Sequence, residues 1–155
     1  MATERFAGCL FLFLLLFGLI SCDNSSRRRN TVARVIRQVQ LHEAEWNTLT
    51  QNILSDSYVR NRINMYIRPE ELPKNIQNEL TTRGVVRLTV NNTECKEVEY
   101  TTNWTDYPIG TLYLTWTTCD SVQTKQGYYH DYYSKFIEVW GLGNNWLIWV
   151  DSDFI

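Results

Sequence analysis

The sequence holds only two histidines, seven glycines and three prolines in 155 residues, and each scarcity removes a class of protein. So little glycine and proline excludes collagen-like and low-complexity chains. With neither a Cys-x-x-Cys pair nor a Cys/His cluster, the spacing gives no zinc or dithiol signature. No Gly-x-Ser-x-Gly elbow, His-Glu-x-x-His pair, phosphate loop or dinucleotide fingerprint is present. The formal net charge of −2 argues against a dedicated nucleic-acid binder, which would be basic. What remains is ordinary core material. Hydrophobic residues make up 44% and aromatic residues 14%, which argues against disorder and for one globular domain.

The N-terminus reads as an address. Residues 7–20 form an uninterrupted apolar or small run, shorter than the ~20 residues a spanning helix needs and suited to a signal-peptide h-region. The chain then turns polar at Ser21-Cys22-Asp23-Asn24 and basic at Arg27-Arg28-Arg29. Leu19-Ile20-Ser21-Cys22 resembles a bacterial lipobox. That resemblance implies cleavage before Cys22, a lipid on its thiol, and membrane attachment outside the cytoplasm. It covers only residues 1–22 and identifies no family for the domain. The competing reading is an ordinary secretory signal. The Asn-x-Ser/Thr triplets at Asn24, Asn91 and Asn103 support it, since a eukaryotic export route would make them glycan acceptors. The expected organisation is a signal over 1–21, a polar tether over 22–30 and one domain over 31–155.

Of the four cysteines, Cys9 falls in the signal and Cys22 is the acylation candidate. Cys95 and Cys119 are left as a pair, and an exported protein would oxidise them. The flanking residues favour a hairpin. If Cys95 faces Cys119, Val98 faces Trp116 and Tyr100 faces Leu114 on one side. Glu97 then faces Thr117, and Glu99 faces Thr115, on the other. An apolar and a polar face emerge together, as a half-buried hairpin requires.

The rest of the domain divides in two. Val32, Val35, Val39, His42, Trp46, Leu49 and Ile53 recur at helical spacing, predicting one helix over 31–55 with His42 at the core edge. Residues 58–68 fit a helix or a strand. Pro69-Glu70-Glu71 reads as the first turn of a helix through Leu80. From Gly84 the period becomes two, with Val86, Leu88 and Val90 on one face. A last hairpin pairs 135–140 with 146–150 across residues 141–145. Its second strand, Trp146-Leu147-Ile148-Trp149-Val150, is apolar enough to be central. The expected fold is α+β: an N-terminal helical layer on a twisted antiparallel meander of four to six strands. The order is similar to cystatin-like and NTF2-like arrangements, an architectural analogy that carries no function. Charge divides along the same line. Residues 22–90 hold 11 basic and 7 acidic side chains, and residues 91–155 hold 3 basic and 9 acidic.

Five of six tryptophans and seven of nine tyrosines fall between residues 100 and 149. Trp104 and Tyr107 sit in a turn-rich loop, where a large ring either folds back on the sheet or anchors a partner. Tyr129 and Tyr133, in the stretch Tyr128-Tyr129-His130-Asp131-Tyr132-Tyr133, are further contact candidates. Two carboxylate pairs, Glu97 with Glu99 and Asp151 with Asp153, are the nearest approach to hydrolytic or cation-binding chemistry. His130 beside Asp131 is the nearest approach to a general base. The sequence therefore predicts a non-enzymatic, lipid-anchored binding domain with no cofactor or metal and no catalytic residue. Its expected partners are the membrane, through Cys22, and a protein or glycan. A structural subunit of an envelope assembly, or a secreted glycoprotein, is the alternative.

Overall fold

A computed structural model describes residues 30–104, 110–119, 125–130 and 137–151. The chain divides into two units after Arg34, and the second, Val35–Ile155, holds every described strand. Residues 30–41 are helical (α1). Then come α2 (Glu43–Ser55), α3 (Ser57–Arg60), β1 (Tyr66–Ile67), a 3-10 turn (Pro69–Glu71), α4 (Lys74–Thr82) and β2 (Val85–Asn92). The remaining strands are β3 (Lys96–Thr102), β4 (Thr111–Thr117), β5 (Gly127–His130), β6 (Ile137–Gly143) and β7 (Trp146–Asp151). The fold class is α+β, as the change of hydrophobic period predicts.

The single helix expected over 31–55 is broken by a turn at His42. The His42 N–H is shared between the carbonyls of Gln38 and Val39, both at 3.2 Å. The ladder tightens locally, and His42 turns outward to exposure instead of lining the core edge. Val35, Val39, Trp46, Leu49 and Ile53 keep their buried positions. Residues 58–68 supply both a helical turn (α3) and a strand (β1). The helix expected from Pro69 through Leu80 is also divided. Leu72 precedes Pro73 and is extended, with φ −102° and ψ 161°, because a following proline disfavours the helical region. The helix restarts at Lys74.

The sheet has seven strands where four to six were expected, in the order β1-β2-β3-β4-β7-β6-β5, with every neighbour antiparallel. It is two meanders joined edge to edge by the β4–β7 pairing, not one continuous meander. β7 thereby lies between β4 and β6, the interior place its apolar run demands. The β3–β4 hairpin adopts the expected register: Val98 opposite Trp116, Tyr100 opposite Leu114, Glu97 opposite Thr117 and Glu99 opposite Thr115. Cys95 and Cys119 stand at its open end at disulfide distance, their Cα atoms 5.3 Å apart. β6 and β7 are joined by Asn144 and Asn145, with φ 50° and 72°, the pair of positive values a two-residue type I′ turn needs.

One sheet face carries Leu88, Val98, Tyr100, Leu112, Leu114, Trp146, Ile148 and Val150, all buried. Helix α2 packs against it through Trp46. That indole meets the edges of Tyr100 at 5.3 Å, Trp104 at 5.9 Å and Trp146 at 6.1 Å. Around the cluster, polar groups are satisfied. Tyr100 Oη and Thr50 Oγ1 share a hydrogen bond at 2.7 Å, and Thr50 Oγ1 also donates to the Trp46 carbonyl at 2.8 Å. The Trp146 indole donates to Asn47 Oδ1 at 3.0 Å. At the far end of the hairpin, Asn144 Nδ2 donates to Glu43 Oε1 at 3.0 Å, pinning the start of α2 to the β6–β7 turn.

Gly84 closes the connection from α4 to β2. Its φ of +72° is one a side chain rarely adopts, and a Cβ there would collide with the Asn103 side chain and approach Trp104 Nε1 to 3.0 Å. Gly84→Ala should therefore cost about 1–2 kcal/mol from backbone strain alone, with the collision adding to it. Trp46→Ala should cost about 3–5 kcal/mol, the usual loss for emptying a large buried aromatic site. Urea unfolding checks both. Equal midpoints for Gly84→Ala and wild type would refute the stated packing at that turn.

Candidate functional site

Of the residues expected to meet a partner, the structure describes Trp104 and the backbone of Tyr129. Trp104 folds back on the domain: its indole N–H donates to the Arg83 carbonyl at 2.6 Å, and its ring lies edge-on to Trp46. It takes the inward of the two roles open to it. Tyr129 occupies the β5 position paired with Val139; its side chain lies outside the described set. Tyr107 and Tyr133 lie outside the described residues, as do Cys22, Asn24 and Asp153.

The described acceptor candidates differ in setting. Asn91, near the end of β2, accepts through Oδ1 from Thr93 N at 3.2 Å and from Thr93 Oγ1 at 3.0 Å. Asn103 is exposed at the end of β3. Of the chemical candidates, His42 is exposed, and its Nδ1 lies 3.2 Å from Glu45 Oε1, a surface pair on one helical turn. Among the described residues, no group of three or more His, Cys, Asp or Glu is placed to hold a metal ion.

The sheet face away from α2 gathers the carboxylate pair. Glu97 and Glu99 project from β3 beside Thr115 and Thr117 of β4, and both threonines are buried. Tyr113 and Trp149 stack nearly parallel across β4 and β7, with ring centroids 3.9 Å apart. The Trp149 indole donates to Thr115 Oγ1 at 3.3 Å. Desolvation raises the Glu97 carboxyl above its ordinary range, and the Thr117 hydroxyl offsets part of this. Desolvation also raises Glu99, and the like charge of Glu97 adds to it, while Arg87 and Trp149 act the other way. Among the described residues this face sets two desolvated acids beside threonines and stacked rings, with no histidine or cysteine thiol joined to them.

A third region has no counterpart in the sequence pattern. At the β1–β2 edge, Tyr66, Arg68, Glu70, Glu71, Val86 and Arg87 line a groove of about 680 Å³. Tyr66 is 66% exposed, Met65 55% and Val86 47%. The period-two pattern puts Val86 with Leu88 and Val90 on the inner face. The structure inserts a bulge between Val85 and Arg87, so Val85 takes the inner position and Val86 turns out. One extra residue in a strand flips the parity of what precedes it. Arg87 lies with its guanidinium 4.6 Å from the Tyr66 ring centroid, and its Nε donates to Thr101 Oγ1 at 3.0 Å. The cation is thus fixed over an exposed aromatic shelf.

No protein-family model, curated protein or solved structure matches this chain. Its function therefore rests on the chemistry of its own surfaces.

The two desolvated carboxyls make a signed prediction. Both hold protons more tightly folded than unfolded, so each disfavours the fold when ionised. Their combined effect is a loss of stability as pH rises from about 4.5, the reference value, through the raised folded values. Glu99→Gln should raise the urea midpoint at pH 7 and shrink in effect toward pH 4. A lower midpoint at pH 7 would mean that the charged form is held by a contact the fold needs.

Proposed function

We propose that the chain is an exported, non-enzymatic binding domain, tethered to a membrane by lipid on Cys22 and presenting the sheet to a partner. The observation that carries the binding reading is the exposed Tyr66 ring under the half-buried Arg87 at the β1–β2 edge, in a groove that exposed Val86 also lines. Tyrosine and arginine are enriched among the few residues that carry most of the energy of protein contacts. They stand here on a strand edge held by the sheet behind it.

Export is supported separately. The Cys95–Cys119 pair sits at the open end of β3–β4, and disulfides persist in oxidising compartments. A bridge across 24 residues would contribute about 3 kcal/mol, a useful share for a small domain. No described helix is long and apolar enough to cross a membrane. Attachment in this reading therefore falls to Cys22, where two acyl chains pass the marginal binding of one.

A second reading is favoured by the positions of Asn91, near the end of β2, and Asn103, exposed just after β3. Both would admit a glycan without entering the helix-covered face. A secreted glycoprotein would use them in place of the lipid.

Intact mass of the protein purified from its native source, beside a Cys22→Ser variant, tests the proposal. The expected result is a mature chain that begins at Cys22, carries acyl mass lost in the variant, and gains two hydrogens on reduction. A chain cut near residue 21 with glycan mass at Asn91 or Asn103 transfers the assignment to the secreted reading. A full-length chain with free thiols at 95 and 119 refutes export.

A further inference from the structure

We propose that the exposed face of α1 rests on an anionic lipid headgroup surface, holding the tethered domain with that face toward the bilayer. This rests on the reading of Cys22 as a lipid attachment site and names the surface the attached domain lies on.

The first support is where the charge lies. Residues 22–90 hold 11 basic and 7 acidic side chains, a net of +4, and all of that surplus falls in residues 22–42. The segment carries Arg27, Arg28, Arg29, Arg34 and Arg37 against Asp23 alone. Residues 43–90 hold 6 basic and 6 acidic side chains, and residues 91–155 hold 3 and 9. The positive surplus is thus confined to the stretch that follows the attachment residue. Basic residues beside a membrane anchor are drawn to anionic headgroups, each charge near the surface strengthening binding about fivefold. The acidic remainder of the chain is repelled by the same surface, so attraction at α1 also orients the domain.

The second support is the face itself. α1 buries Val32, Val35 and Val39. Arg34, Arg37, Gln38 and Leu41 are exposed, and helical spacing puts them within an arc of about 100° on the opposite side. No Asp or Glu falls between Asn24 and His42, so neither arginine has an acidic neighbour along α1. The next acids in the chain are engaged elsewhere, Glu43 by Asn144 and Glu45 by Arg83. Other arginines of the domain are committed as well. Arg62 stands by Glu71, Arg83 is held by Glu45 and Glu79, and Arg87 lies over Tyr66 and donates to Thr101. Among the described residues, Arg34 and Arg37 have no such partner. Beside them Leu41 is 69% exposed, more than any other large hydrophobic residue described. An aliphatic side chain among arginines suits the boundary between headgroups and acyl chains, and offers nothing to a nucleic-acid backbone.

The third support is reach. Seven residues separate Cys22 from Asn30, where the described helix begins. A connection that short spans no more than about 30 Å. Lipid on Cys22 would therefore keep α1 near the headgroups, and contact becomes an intramolecular event favoured by high effective concentration.

Vesicle sedimentation of the chain from residue 22 onward, disulfide-bonded and carrying Cys22→Ser, tests the face with no acyl group present. Vesicles containing phosphatidylglycerol should bind it, and vesicles of phosphatidylcholine alone should not. Binding should fade as salt rises toward about 1 M. Arg37→Glu should weaken it about tenfold, since an attraction becomes a repulsion. Arg37→Lys should retain it, because a fluid headgroup surface answers charge and not the guanidinium fork. Arg60→Glu, exposed in α3, should leave it nearly unchanged. An unchanged urea midpoint verifies the fold of each variant. Absence of binding to anionic vesicles, or equal losses from Arg60→Glu and Arg37→Glu, overturns the assignment. Tighter binding to a DNA duplex than to vesicles also overturns it and makes the face a nucleic-acid surface. Intact mass decides the anchor separately. Acyl mass without vesicle binding keeps the anchor and overturns the face, and vesicle binding without acyl mass keeps the face and overturns the anchor.

Discussion

The structure depends on where Trp46 sits. It is the residue of α2 that joins the helix to the sheet, and three further aromatic rings, from β3, the residues just after it, and β7, converge on it. Arg83 covers the indole at 5.1 Å. The same arginine is held by Glu45 and Glu79, at 2.9 Å each, and its carbonyl receives the Trp104 N–H. Arg83, through its side chain and its carbonyl, thus ties together α2, the end of α4 and the residues just after β3. Each edge-to-face contact contributes modestly beyond the area it buries, about 0.5–1.5 kcal/mol. Their joint effect is geometric: they fix the helix over one face and leave the opposite face and the β1 edge to other uses.

That division sets the proposed partner surface apart from the region where the tryptophans are densest. The β half is rich in rings because two meanders meet there, and β4 and β7 need large side chains on both faces. Tyr100, Trp116 and Trp146 are buried for that reason, and Tyr113 and Trp149 satisfy each other by stacking. The exposed ring that matters lies outside this region, at Tyr66. It stays exposed because β1 is only two residues long and nothing among the described strands lies beyond it. The fold consumes aromatic residues where layers join and presents them where a layer ends.

Much of the fold is legible in residue order. The β3–β4 register follows from pairing two cysteines and asking which side chains would then share a face. Periodicity locates the stripe from Val35 to Ile53, and an unbroken apolar run marks β7 as interior. The departures have local causes. His42 fits the helical spacing, but spacing cannot show that two carbonyls will share its N–H. Pro73 divides what Pro69 begins, and that break is written in the sequence itself. The Val86 bulge leaves no mark in a period-two pattern, and without it the edge groove cannot be foreseen. Trp104 is open to two roles, and only the position of the Arg83 carbonyl decides between them. Strand order across the β4–β7 junction is a long-range choice that no local pattern records.

Recognition is assigned here to one surface, and site-specific photo-crosslinking tests that most directly. A photoreactive phenylalanine analogue would replace Tyr66, Val86 or, at the opposite end of the sheet, Tyr128, which is also exposed. Irradiation would take place in the native compartment with the full chain. Recognition at the β1–β2 edge predicts one common adduct from positions 66 and 86, absent from 128. An adduct formed at 128 and at neither 66 nor 86 would contradict it.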